Sequence, residues 1–320
     1  MFQKINFPCF VLSLAAIALS ACVPPPPAQK IAPAAAGPRI KLASQSGDFQ
    51  SPLDSIPDPT GQTIYFTAEN AKGKGLFQVA TTGGTVSEVA VGAPFVAPSG
   101  IAIAPDGQHA FVADPAAGAI FSIALGKGVK PAPLAIVTTA GTAPQNLDVA
   151  TEGGQTIIYY TGKDAQDGQP GVFKMNATGS DKPMLVYKGA PLTMPDGIAV
   201  APDGTVYVAD RAAAGNSMGQ VFKIAGGKLS VLVPKVRTGN PAGIALTKDG
   251  AVLLVSALQP DGKSDQVLVV NTATGESNSV TDVVGQNSAA GGVHRAYNSN
   301  LFSWADRTCR PKGCVFSVEP

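Results

Sequence analysis

Histidine and tryptophan are nearly missing from this chain, which holds two of the first and one of the second in 320 residues. Charged residues make up only 14% and aromatic residues 6%. No stretch is basic and no aromatic residues interleave with cations, which excludes nucleic acid as a partner. After residue 22 no apolar run approaches the length a membrane span requires. No long segment there carries helical apolar spacing, which argues against an α fold. An HExxH motif, a phosphate-cradling Gly-Lys loop and a cysteine nucleophile are absent. The net charge is +1, and without Lys4 the remainder balances at 22 basic and 22 acidic residues (23 − 1 against 22). What the chain has instead is apolar residues at 45%, 36 glycines and 27 prolines, a composition that suits a large core crossed by many turns.

The N-terminus carries an address. Residues 1–21 have the form of a secretory leader, with Lys4 followed by the apolar run FVLSLAAIALSA at 10–21. Leu19-Ser20-Ala21-Cys22 resembles the lipobox of bacterial lipoproteins. The resemblance implies that Cys22 becomes the first residue and carries diacylglycerol and an N-acyl chain. More than one chain is what stable anchoring needs. Val23, where an Asp would retain a lipoprotein at the inner membrane, implies the outer membrane, with the protein facing the periplasm. Residues 22–38 continue as a Pro/Ala-rich tether that reaches up to roughly 50 Å at about 3.1 Å per residue.

From residue 39 onward a ten-residue box recurs. It reads PLDSIPDPTG from 52, PSGIAIAPDG from 98, PQNLDVATEG from 144, PDGIAVAPDG from 195 and PAGIALTKDG from 241. A worn sixth copy, AGGVHRAYNS, starts at 290. A period of 46 to 51 residues indicates a solenoid, a propeller or an array. Each unit reads as an apolar inner strand, a tight turn with Gly, a second strand such as TVYVAD and a third such as QVFKIA, with a fourth closing it. The expected fold is all-β, a six-bladed β-propeller over 39–320 with four antiparallel strands per blade. The chain ends after the sixth unit's third strand, CVFSV at 314–318. RIKLAS at 39–44 is therefore expected to close the ring as the missing outer strand, with Ile40 and Leu42 on its buried face.

The stretch PDGIAVAPDGTVYVAD at 195–210 resembles the repeats of the gluconolactonase / senescence marker protein family and of NHL-repeat propellers, over about 50–320. The resemblance implies a ligand site over the central channel, at the face formed by box positions two and three. It also implies a divalent cation, often Ca²⁺, held by oxygen ligands, for which Asp54, Asn146 and Asp196 are the closest matches. The family's Glu-Gly-Pro-like context for the first acidic ligand is absent. The alternative for Asn146 and Asp196 is a turn role.

Other candidates come from the residues themselves. His294 and Asp148 stand at a box position that is Ala102, Ala199 and Ala245 in three other copies. His294 is a candidate acid–base group, with Arg295 beside it as an anion contact and Gln145 and Asp148 on the channel face. His109, after a turn on the opposite face, reads as structural or solvated. Glu69, Asp114, Asp164, Asp210 and Asp306 end second strands, where they either hold their own loops or form an acidic rim. Cys309 and Cys314 flank RPKG, and an exported protein permits a disulfide between them. Two readings follow: an envelope propeller that binds a small ligand or an envelope protein, or a metal-dependent lactonase or esterase in which the cation activates water.

Overall fold

The computed structural model describes residues 39–319 apart from 46, 127, 129–132, 139–141, 260–261, 263 and 282–290. The leader, Cys22 and the tether lie outside the described residues. The described chain is strand and turn, with no helix, and its strands pair antiparallel.

The first three repeats each form a four-stranded meander. Ser55–Pro57, Thr63–Asn70, Gly73–Ala80 and Ser87–Val91 make the first, and the sheets beginning with Ile101–Ile103 and Leu147–Glu152 copy it. Repeats four and five, beginning at Pro195–Val200 and Ile244–Leu246, are linked into one eight-stranded sheet. The link is two residue pairs, Arg237↔Leu258 and Thr238↔Ala257. In the last sheet Arg39–Gln45 pairs with Cys314–Glu319, outside Phe302–Asp306 and Val293–Arg295.

The box makes the first turn of each unit for a local reason. Gly107, Gly204 and Gly250 stand at φ of 73°, 83° and 71°, where a side chain would be strained. One residue earlier, Asp106, Asp203 and Asp249 accept the backbone N–H two residues on, at 2.9, 2.9 and 3.1 Å.

Burial follows the two-residue period. Six apolar clusters form, each between consecutive repeats. The last joins Ala43 and Val315 of the final sheet to Ile64, Phe66 and Phe77 of the first repeat. The inner strands pack side by side in chain order, and Val293–Arg295 returns against Ser55–Pro57.

One expectation is corrected. Leu42 is 51% exposed, and Ala43 is the buried residue at 4%. Leu42 and Ala43 alternate to opposite faces, and the covered face is that of Ala43, against Ile64, Phe66 and Phe77 of the first repeat; a register shift follows between Leu42 and Ser44.

Candidate functional site

Box positions three and five lie on one face of each inner strand, because they are two residues apart. Position three reads Asp54, Gly100, Asn146, Gly197, Gly243 and Gly292. The glycines are there because neighbouring strands approach closely. A Cβ at Gly197 would lie 2.2 Å from the Ala242 carbonyl oxygen, and one at Gly243 2.4 Å from that of Gly291. At Gly292 it would lie 1.7 Å from Asp54 Oδ1, and at Gly100 2.6 Å from the Asn146 Cα. This layer is therefore tightly packed, with Asp54 and Asn146 filling space that two glycines leave.

Asp54 is fully buried and fully used. Its Oδ1 accepts the Ser55 N–H at 2.9 Å, and its Oδ2 accepts the Ile101 N–H of the second repeat at 3.1 Å. The same Oδ2 lies 3.0 Å from His294 Nε2 of the sixth. Asn146 Oδ1 accepts the Leu147 N–H at 2.7 Å. Asp196 Oδ2 accepts the Ala242 N–H at 2.9 Å and stands 2.9 Å from Arg211 Nε as an ion pair. Burial pushes the Asp196 carboxyl up to about 6. Arg211 and the Ala242 N–H pull against that, and Asp54 and Asp210 add to it.

These three side chains hold strands together. Calcium takes six to eight oxygens with lone pairs free to face it. Here Asp54, Asn146 and Asp196 point oxygens at backbone N–H groups, His294 and Arg211, so the set does not fit a cation. Among the described residues no cluster of three His, Cys, Asp or Glu side chains is placed to hold a metal.

The cavity lies at the other end of the inner strands, not over positions two and three. It has a volume of about 280 Å³ and is bounded by the residues that end the inner strands and by the turns that follow. Asp54, Gln145, Asn146 and Asp196 do not line it, whereas Asp148, His294 and Arg295 do. Gln145 Nε2 instead donates to the Ala143 carbonyl at 3.1 Å. Most of the wall is apolar, including Ile56, Ile103, Ala199 and Ala245.

His294 is 4% exposed. Asp54 fixes its tautomer, since a carboxylate can only accept and Nε2 must donate. Nδ1 has no hydrogen-bond partner among the described residues, and the ring lines the cavity. Burial lowers the His294 pKa, but the Asp54 charge and hydrogen bond, with Asp148, outweigh it and the net shift is upward.

Asp148, half-buried, accepts the Val149 and Val200 N–H groups at 2.8 Å each. Burial raises its pKa, against the pull of His294, the two N–H groups and Arg295.

Arg295 is less free than an anion contact should be. Its Nε donates to the Leu246 carbonyl at 2.8 Å, and Nη1 to those of Ala296, Tyr297 and Ser299 at 2.5, 2.9 and 3.0 Å. No carboxylate lies within ion-pair distance of it among the described residues, although Asp148 and Asp249 act on its charge from farther off.

The second-strand acids hold their own loops. Asp114 accepts the N–H groups of Val96, Ala97 and Ala117, and Asp210 those of Thr193, Met194 and Ala212. Asp306 accepts those of Thr308 and Cys309, Asp164 pairs with Lys188 at 2.8 Å, and Glu69 takes the Gln50 amide at 3.2 Å. His109 is exposed, and Cys309 and Cys314 form a disulfide.

One set of residues escapes a box-by-box reading. In odd repeats the second strand carries a buried hydroxyl. Thr67, Thr161 and Ser256 donate to the carbonyls of Ser99, Asp196 and Gly291 in the next repeat, at 2.8, 2.6 and 2.7 Å. Even repeats place Ala113, Ala209 and Ala305 there, each followed by one of the loop-holding aspartates. The aspartates stand 96 residues apart (114, 210, 306), so the structural unit is a pair of repeats. That spacing is the signal that reveals the alternation.

No protein-family model matches the chain, and no curated protein matches it. Solved structures do. A putative gluconolactonase superposes with a TM-score of 0.59 at 15% identity, over 89% of this chain and 92% of its own. A gluconolactonase of Xanthomonas campestris gives 0.57 at 19%, over 88% and 93%. The calcium-binding protein regucalcin of Agrobacterium tumefaciens gives 0.59 at 15%, over 87% and 92%. At these identities the likeness is one of fold, that of the gluconolactonase- and regucalcin-type propellers.

Proposed function

We propose that this chain is an envelope lipoprotein whose six-bladed β-propeller binds a small ligand in a well at the turn end of its inner strands. The observation that carries the reading is His294. It is a buried side chain with one nitrogen held by Asp54 and the other without a partner among the described residues, beside a largely apolar cavity. A concave, mostly apolar site with a few converging polar groups is what small-molecule binding uses. Six inter-repeat cores and the pairing of Arg39–Gln45 with Cys314–Glu319 support six blades and closure by the N-terminal strand. In this reading Cys22 attaches the protein to the outer membrane, facing the periplasm, and 23–38 is the tether.

The test is a small-molecule thermal-shift screen on wild type and on Ala199→Leu, which fills the well without altering charge. A ligand that stabilises the first and not the second supports the reading. Ligands that stabilise both equally contradict it.

A second reading is a divalent-cation-dependent lactonase. Its support is the fold shared with the two gluconolactonase structures. Lactone hydrolysis that requires calcium would favour it. Activity that is absent, or indifferent to EDTA, would remove it.

A further inference from the structure

Resting on the well as the ligand site, we propose that its ligand is a small dipolar molecule, carrying a carboxylate and a hydrogen-donating amino or hydroxyl group on one apolar frame. The argument is the distribution of charge around the wall. Repeat three contributes Asp148 and Glu152. Repeats five and six contribute Lys248, His294 and Arg295.

These two sides face each other. The inner strands are packed in chain order, so the third and sixth stand opposite across the axis. At the mouth Thr151 Oγ1 of the third repeat lies 3.3 Å from Tyr297 OH of the sixth. The remaining wall between them is apolar, with Ala199 and Ala245 on one side and Ile56 and Ile103 on the other.

These charges act on one another across the cavity, but apart from Glu152 and His294 none is in direct contact with an opposite charge among the described residues. Glu152 has its partner in Lys174 at 2.7 Å, but Asp148 is held by two backbone N–H groups alone. Lys248 Nζ donates to the Asn298 carbonyl at 3.1 Å, and Arg295 to four carbonyls, so neither cation meets a carboxylate among the described residues. A monopolar guest would satisfy one wall and leave the other desolvated and unpaired, which is costly. A guest with a donor toward Asp148 and a carboxylate toward Arg295 Nη2, the nitrogen those carbonyls leave over, and toward the Nδ1–H that His294 presents as an imidazolium satisfies both. A cavity of about 280 Å³ limits it to a small molecule.

The experiment is calorimetric titration of the full-length protein with norleucine, 2-hydroxyhexanoate, hexanoate and hexylamine, against a matched micelle blank. Norleucine or the hydroxy acid is expected to bind at least tenfold tighter than hexanoate and hexylamine. Which of the two leads tells whether the donor is an ammonium or a hydroxyl. Asp148→Asn should cut that preference to about threefold or less, and His294→Gln should weaken every carboxylate probe about tenfold, or about 1.4 kcal/mol. Ala199→Leu, with all charges in place, should abolish binding even if a charge variant is poorly folded.

Equal affinity for hexanoate and the dipolar probes, lost in Ala199→Leu, overturns the proposal and leaves the well as a ligand site. No binding of any probe at millimolar concentration, beside a screening ligand that Ala199→Leu abolishes, overturns it as well.

Discussion

His294 Nε2 lies 3.0 Å from Asp54 Oδ2, across 240 positions of sequence and with both side chains buried. The same carboxylate oxygen accepts the Ile101 N–H, so one side chain ties the first repeat to the second and to the sixth. The contact places a polarised imidazole beside the cavity and joins the two ends of the repeat array.

Stability should fall as pH rises from 5 to 8. Folding raises the His294 pKa, so its contribution is complete below the unfolded value near 6.5 and is lost as pH passes the folded one. Asp196, pushed up to about 6, is also stabilising when protonated, and that contribution is lost between about 4 and 6. Melting temperatures at pH 5, 6, 7 and 8 check this. Asp196→Asn should flatten the acidic end of the slope and His294→Gln the neutral end. A melting temperature that climbs over this range would contradict the assignment.

The N-terminal strand should matter and the tether should not. Deleting 23–38 is expected to leave the melting temperature unchanged. Deleting 23–44 removes most of the strand paired with Cys314–Glu319 and uncovers an edge, at a cost of about 1–3 kcal/mol and with aggregation. Because Ala43 is the buried residue, Ala43→Asp should destabilise while Leu42→Ala stays within about 0.5 kcal/mol. Denaturant midpoints distinguish these outcomes, and equal midpoints for the two truncations would assign 39–44 to the tether.

Much of this was readable in advance, and the limits have physical causes. The Pro…Gly box shows itself because turns need particular residues at particular positions, as Gly107, Gly204 and Gly250 do. Pairing of 39–44 with 314–318 follows from a missing fourth strand. Sequence could not show that Leu42 is exposed and Ala43 covered, since that depends on which face of the outer strand the first repeat packs against. Nor could it show the meeting of Asp54 with His294, which exists only because the sixth inner strand returns to the first. The cavity's position was hidden for a similar reason. Its far end is filled by inter-strand contacts at Gly197, Gly243 and Gly292 that no single repeat contains.

Reduction of the Cys309–Cys314 bridge should lower stability modestly. A loop this short contributes about 2 kcal/mol in the chain-entropy model. Cys314 opens the strand that pairs with Arg39–Gln45, so the loss should appear in the same sheet. Hydrogen exchange of 314–319, with and without reductant, is the measurement, and unchanged protection there would separate the bridge from the closure.

Anchoring can be tested apart from the fold. Cys22→Ser is expected to abolish acylation and to leave protein that is soluble or still carries its leader. Mass spectrometry of membrane and soluble fractions reads this directly. Unchanged membrane attachment of the variant would refute the lipobox reading.

The tightest test of the inner layer is Gly292→Ala. Its Cβ would lie 1.7 Å from Asp54 Oδ1 and 2.8 Å from Asp54 Cβ, inside a fully packed layer. Overpacking of this kind costs about 1–3 kcal/mol and sometimes more. Asp54→Gly on its own should also be costly, since it leaves the Ile101 N–H and His294 without their acceptor. The two changes share one volume, so they should not add: with Asp54 gone, the methyl group introduced by Gly292→Ala has space to occupy. The double variant is expected to be more stable than the sum of the single losses by about 1 kcal/mol or more. Agreement with the sum to within about 0.5 kcal/mol would mean that Gly292 and Asp54 do not share one volume.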